Sequence, residues 1–157
     1  NEVWRFDTIA RPGQPGGHSW NGHPVEERFG GSVWNLGSYD PDLNLVYIGV
    51  AQTYDAGTLL ETNGQKGLNA DGLYMDSTLA LDPDTGKLVW HYQHFNREVW
   101  DYDWSFERVL IDLPVNGRER KMSVTAGKIA IFDAIDRTNG QYLFLTERQL
   151  ERAVSKP

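Results

Sequence analysis

The sequence predicts an all-β chain, a portion of a β-propeller built from antiparallel sheets. Three observations carry that expectation. Six Trp, seven Tyr and six Phe stand beside sixteen Gly and seven Pro, the composition of many short strands joined by turns. "ALDPDTGKLVW" (80–90) aligns without a gap with "AIDRTNGQYLF" (134–144), so a unit recurs after 54 residues. Each copy spells strand, tight turn, strand, and a period near 50 with several strands per unit marks a propeller rather than a helical array.

The elements follow in chain order. "NEVWRF" (1–6) aligns with "KLVWHY" (87–92), which sets Trp4 where Trp90 stands. The strand and turn that should precede Trp4 are missing, so 1–157 is expected to be one partial domain, starting and ending within a propeller, with roughly three blades. Segments 7–31 ("RPGQPGGHSWNG") and 53–72 (Asn63-Gly64, Gly67, Asp71-Gly72) are expected as long loops, functional or disordered. Between them, 32–51 ("SVWNLGSYDPDLNLVYIGVA") reads as a hairpin around Asp40-Pro41-Asp42. In 80–90, the apolar residues before Asp82 form a strand, Asp82 caps the turn, Pro83 presets φ and Gly86 takes φ > 0. "KLVWHYQ" returns as the partner strand, and its Trp90, like Phe144 of the second copy, is placed to pack on a neighbouring sheet. The charged 145–157 ("LTERQLERAVSKP") reads as a helix or a frayed end.

A net charge of −7 argues against nucleic acid as a partner, because phosphate binding needs a basic patch. With no cysteine, neither a disulfide frame nor thiolate zinc is available. No apolar run approaches the roughly 18–20 residues of a membrane-spanning helix. Asp82, Asp84 and Gly86 only faintly match a calcium loop, since its twelfth position is Gln93, and the four His show no zinc spacing. Neither a phosphate loop nor a Ser or Cys nucleophile stands in a recognisable setting.

The stretch with chemistry in it is 100–104, Trp-Asp-Tyr-Asp-Trp. Drawn out as a strand, it puts Trp100, Tyr102 and Trp104 on one face and Asp101, Asp103 and Ser105 on the other. Carboxylates two positions apart, about 6.5–7 Å between Cα atoms, can reach one hard cation, or one binds metal while the other takes a proton. Without further context, a strand with an aromatic core side and a solvated acidic side is the plainer reading.

Taken together, "GGSVWNLGSYDPDLNLVYIGV", "STLALDPDTGKLVWHYQ", "VWDYD" and "AIDRTNGQ" resemble the pyrroloquinoline quinone (PQQ)-dependent dehydrogenases of the methanol, ethanol and glucose type. The resemblance spans nearly the whole chain. It implies an eight-bladed propeller with PQQ and a Ca²⁺ or lanthanide ion on its axis. The implied enzyme is periplasmic, free or at the membrane, and oxidises an alcohol or sugar hydroxyl by hydride transfer to the quinone. A cytochrome c-type acceptor and the remaining blades are the implied partners.

By that resemblance Asp101 is the catalytic base and Asp103 the extra carboxylate of the lanthanide-using branch. Trp34 stacks on the quinone, Ser32 bonds a cofactor carboxylate, and Lys128 contacts the quinone oxygens and takes the charge of reduction. Gln52, Asp101 and Asp103 face the cation. The chain also departs from the family. "GVAQ" (49–52) stands for the usual "GTGN", Tyr54-Asp55-Ala56 replaces Pro-Trp-Asn, and "TAGK" surrounds Lys128. The family's upstream cation-binding Glu and vicinal cysteines have no counterpart, so this piece in isolation is expected neither to hold cofactor tightly nor to turn over. The rival reading is a non-catalytic propeller of the same repeat, a protein-binding scaffold of the outer-membrane assembly type.

Overall fold

A computed structural model describes residues 1–60 and 69–147. The Asn63-Gly64 and Gly67 turns and the charged segment after Glu147 lie outside the described residues. Two four-stranded antiparallel sheets are formed, each in simple sequential order. The first holds β1 (Ser38–Asp40), β2 (Leu45–Gly49), β3 (Ser77–Leu81) and β4 (Leu88–Gln93); the second holds β5 (Val109–Val115), β6 (Arg118–Ala126), β7 (Ile131–Asp136) and β8 (Tyr142–Glu147). Roughly three blades were expected; two are complete, and 1–6 pairs with no strand among the described residues.

The sequence repeat is a repeat of geometry. In one blade Asp82 Oδ1 accepts the N–H groups of Asp84 and Thr85, and Gly86 (φ +69°) closes the turn onto Asp82 O. In the next, Asp136 Oδ1 accepts Thr138 N–H and Gly140 (φ +76°) closes onto Asp136 O. Both blades carry a register irregularity at the same place, Ala80/Leu81 and Ala134/Ile135. The 40–42 turn forms as expected, with Asp40 Oδ1 accepting from Asp42 and Leu43. Residues 32–37, however, join no strand of that hairpin. The hairpin from β5 to β6 turns at Asn116-Gly117, both at positive φ, which matches the twist of the flanking strands.

The two turn glycines receive the indoles of the preceding repeat. A Cβ on Gly86 would stand 2.5 Å from the Trp4 ring, and one on Gly140 would stand 2.7 Å from the Trp90 ring. Trp4 Nε1 donates to Pro83 O at 2.7 Å. At the equivalent carbonyl, Arg137 O, the donor is instead the Tyr47 hydroxyl at 2.8 Å, and Trp90 Nε1 is buried without a partner among the described residues. Trp90 thus ties blade to blade as expected, whereas Phe144 stays exposed.

Polar contacts fix the same interface. Arg137, buried in the second blade's turn, bonds Asp40 Oδ2 of β1 at 2.6 Å and also Asp112 of β5. Burial pushes Asp40 up, but the hydrogen bond from Arg137 and the turn N–H groups outweigh it and hold Asp40 below its usual range. A second chain of bonds runs from Arg108 Nε to Thr78 Oγ1 (2.9 Å), from Thr78 to His94 Nε2 (2.7 Å), and from His94 Nδ1 to Asp133 of β7 (2.7 Å). Burial, opposed by the Asp133 hydrogen bond, pushes His94 down to about 4. A neutral imidazole then donates to Asp133 and accepts from Thr78.

The loops cap the first sheet. Trp20, fully buried, donates Nε1 to Leu73 O at 2.7 Å and packs with Val50, Leu59, Met75, Leu79 and Leu81. Asn21 Nδ2 reaches Leu59 O at 3.0 Å, where 57–60 makes one short helical turn, α1 (Gly57–Leu60). Segment 7–31 is therefore an ordered cover.

Gly140→Ala adds a clash with Trp90 to the cost of a left-handed alanine, whereas Gly117 (φ +74°) has nothing within 4 Å of its Cβ direction among the described residues. Urea unfolding is expected to show a loss of about 3 kcal/mol for Gly140→Ala against about 1 kcal/mol for Gly117→Ala. Because His94 titrates near 4 when folded and at its ordinary 6.5 when unfolded, the unfolded chain binds the extra proton between those values. The stability contributed by His94 is therefore complete above pH 6.5 and lost on acidification through that window, and His94→Gln is expected to remove that component of the melting-temperature profile.

Candidate active site

Residues 100–104 form no strand, which corrects the extended reading. Asp101 (φ 66°) and Asp103 (φ 47°) both take the left-handed conformation, at about 1 kcal/mol each for a residue that tolerates it better than most. The rings are still sorted from the acids, but by these two alternate residues rather than by a pleat. Trp100, Tyr102 and Trp104 gather on Phe95, with ring centroids 6.1, 5.4 and 6.1 Å away. Asp101 Oδ2 and Asp103 Oδ2 meet instead at Lys128 Nζ, at 2.8 and 2.7 Å.

Lys128 reaches them because its own backbone is docked on the same loop. Its N–H donates to Tyr102 O at 2.7 Å, and neighbouring Gly127 lies under Trp104, where a Cβ would stand 2.6 Å from the indole. His94 stacks on that indole at 5.8 Å and 7°. The hydrogen bonds to Asp101 and then Asp103 hold the ammonium well above the usual lysine range. Asp101 is 61% exposed and open to a reactant, whereas Asp103, at 8%, faces inward.

Gln52 joins from the first blade. The bridge between Gly30 and Thr53 and the bond from Gly31 N–H to Gln52 O (3.0 Å) position it, and its Nε2 donates to Asp101 Oδ1 at 2.5 Å. Gln52 Oε1 and Asp103 Oδ1 are buried without partners among the described residues. Ser32 lies on the paired strip, its C=O accepting Ala51 N–H at 3.0 Å, but its hydroxyl is engaged by the Tyr54 hydroxyl. Trp34 is half-exposed and meets Phe106 at 5.3 Å and 89°. A cavity of about 500 Å³, lined by Asn35, Phe106, Thr125, Lys128 and Phe132 among others, joins the neighbours of Trp34 to Lys128.

The structure thus brings Gln52, Asp101, Asp103 and Lys128 into one bonded cluster, with Ser32 beside Gln52, whereas Trp34 stays outside it and meets the adjoining cavity only through its neighbours Asn35 and Phe106. Among the described residues no group of three or more His, Cys, Asp and Glu is arranged to hold a metal. Two buried acids beneath the loop, Asp76 and Glu98, had not been singled out. The signal for Asp76 was an acid directly before the strand Ser77–Leu81, all of whose residues are buried and where an unpaired charge is out of place.

Residues 1–156 match the family model described as the PQQ glucose/ethanol/alcohol dehydrogenase β-propeller domain. The chain is 36% identical over 154 residues to quinohemoprotein alcohol dehydrogenase ADH-IIG of Pseudomonas putida, covering 90% of this chain and 21% of that protein. The solved structure of ADHIIG from Pseudomonas putida HK5 superposes with a TM-score of 0.78 at 33% identity, covering 92% of this chain and 22% of that one. A europium-containing methanol dehydrogenase gives a TM-score of 0.65 at 32% identity, over 75% of this chain and 19% of the other. The chain spans about a fifth of the length of the curated relatives it matches.

Lys128→Met leaves Asp101 and Asp103 facing one another with no ammonium between them. The loop amides from Asp101 to Trp104 are expected to exchange with deuterium roughly tenfold faster in that variant, the low end of a charge-assisted contact because the lysine is partly exposed. Unchanged exchange there would show that Lys128 does not hold the loop.

Proposed function

The chain belongs to the PQQ glucose/ethanol/alcohol dehydrogenase β-propeller family, and from that premise we propose that it forms part of an enzyme oxidising an alcohol or sugar hydroxyl, with Asp101 as the proton acceptor. The observation that carries the reading is the cluster itself, in which Gln52 from one blade and Lys128 from the next fix the two oxygens of the exposed Asp101. A partner-binding scaffold on the same repeat has no use for that register.

The donor set fits the family's cofactors. Asp101, Asp103 and Gln52 would offer oxygen to a hard cation, and Gln52 Oε1 and Asp103 Oδ1 are buried without partners among the described residues. Three side chains fall short of the six to eight oxygens such ions take, so further ligands come from outside this set. The half-exposed indole of Trp34 suits a planar ring through apolar stacking, and Ser32 carries a hydroxyl able to bond a carboxylate. When bound, PQQ supplies the hydride acceptor and a Ca²⁺ or lanthanide ion supplies Lewis acidity. Asp103, and the likeness to a europium-containing methanol dehydrogenase, support the lanthanide alternative.

In this mechanism Asp101 takes the hydroxyl proton of the substrate on a carboxylate oxygen as the carbinol hydride departs. Lys128 stabilises the negative charge that develops on the acceptor side, and it does so without reorganising, because Asp101 and Asp103 already orient its ammonium. The quinohemoprotein relatives support a cytochrome c-type protein as the electron acceptor such an enzyme would use. The same reading makes the periplasm the compartment, and the remaining blades complete the site.

The test uses the full-length polypeptide containing these residues, supplied with PQQ and either Ca²⁺ or La³⁺, with dye reduction followed across alcohols and aldoses. Asp101→Ala is expected to lower kcat by 10²–10⁴-fold, the range for a lost general base, while still taking up PQQ. Equal rates for both proteins, or no PQQ uptake by the unaltered one, would refute the assignment.

A further inference from the structure

Beneath Asp101 and Lys128 lie two carboxyls that this mechanism leaves unused. Asp76, between Met75 and the start of β3, and Glu98 are both fully buried. Each gives one oxygen to a backbone N–H of the loop: Asp76 Oδ1 accepts from Trp104 at 3.0 Å, and Glu98 Oε1 accepts from Trp100. Residues 100 and 104 bracket the two left-handed aspartates, so the loop is gripped on both sides of Asp101. The other oxygens, Asp76 Oδ2 and Glu98 Oε2, are buried without a hydrogen-bond partner among the described residues. Two ionised carboxylates in that state would carry a heavy desolvation cost.

We propose that Asp76 and Glu98 are positioning residues for Asp101, each holding one of the backbone N–H groups that flank the two left-handed aspartates. The proposal rests on the dehydrogenase reading only for the task assigned to Asp101.

Among the described residues no ion pair competes with the loop N–H groups for these two carboxyls. Arg108, a buried guanidinium, directs its hydrogen bonds to Thr78 Oγ1, Ser77 O and Phe106 O. Lys128 is engaged by Asp101 and Asp103.

The experiment compares the full-length polypeptide with its Asp76→Asn and Asp76→Leu variants. Asn keeps an acceptor for the Trp104 N–H, whereas Leu loses it. The Trp104 amide is expected to exchange with deuterium at least tenfold faster in Asp76→Leu and to be largely protected again in Asp76→Asn. In the dye assay Asp76→Leu is expected to lose at least tenfold in kcat, with Asn restoring most of it. Unchanged exchange or undiminished kcat in the Leu variant, or an Asn variant as impaired as Leu, would overturn the proposal. If even the unaltered protein reduces no dye with PQQ, the dehydrogenase reading fails, and the exchange comparison still decides whether Asp76 holds the loop.

Discussion

A flat indole laid on a glycine without a side chain is the contact from which the rest of this architecture follows. It occurs at Trp4 on Gly86, Trp90 on Gly140 and Trp104 on Gly127, and in each case a single added carbon would stand 2.5–2.7 Å from the ring. The first two are the same element of the repeat, and Trp90 is the one that fixes how close two described blades approach. The third is not part of the repeat but uses the same physics. By seating Gly127 under Trp104, it brings Lys128, one residue on, within reach of Asp101 and Asp103.

Apolar contact sets the distance between blades but tolerates sliding, and the polar contacts supply the register. Arg137 joins Asp40 of one sheet to Asp112 of the next, and the Arg108–Thr78–His94–Asp133 chain repeats the link nearer the loop. Such buried charges contribute less to stability than to geometry, because desolvation offsets most of the Coulomb gain. They are spent where geometry matters. His94 of this chain stacks on Trp104, so the interface and the candidate site share a wall. The site in turn concentrates four carboxyls, 76, 98, 101 and 103, around one exposed ammonium and one buried guanidinium. That imbalance is stored in a loop with two left-handed aspartates.

Much of this was legible in the residues, and the gaps have physical causes. The Asp-x-x-x-Gly turns and their closing Trp could be read because turn chemistry is local. The Asn116-Gly117 hairpin carries an equally local signal, a dipeptide suited to positive φ at both turn positions. The alternation in 100–104 indicated separated rings and acids but not the means, since period-two alternation does not distinguish a pleat from alternate left-handed residues. Segment 7–31 reads as irregular from its Gly and Pro, yet Trp20, Arg28 and Asn21 make it an ordered cover. Asp76 and Glu98 were missed because their weight comes from burial, and burial of one acid beside another is a property of no single stretch.

The sequence by itself determined the antiparallel all-β class, the repeating turn, the indole that ties blade to blade and the acidic pair at 101 and 103. Each of these depends on residues within about a dozen positions of one another, where chain stiffness and side-chain alternation act directly. Only the tertiary structure decided that Gln52, Lys128 and the two aspartates meet, that Ser32 bonds Tyr54, and that Asp76 lies without solvent among like charges. Those facts depend on how two sheets pack across the chain, and packing is settled by the sum of contacts between distant segments rather than by the order of residues within one.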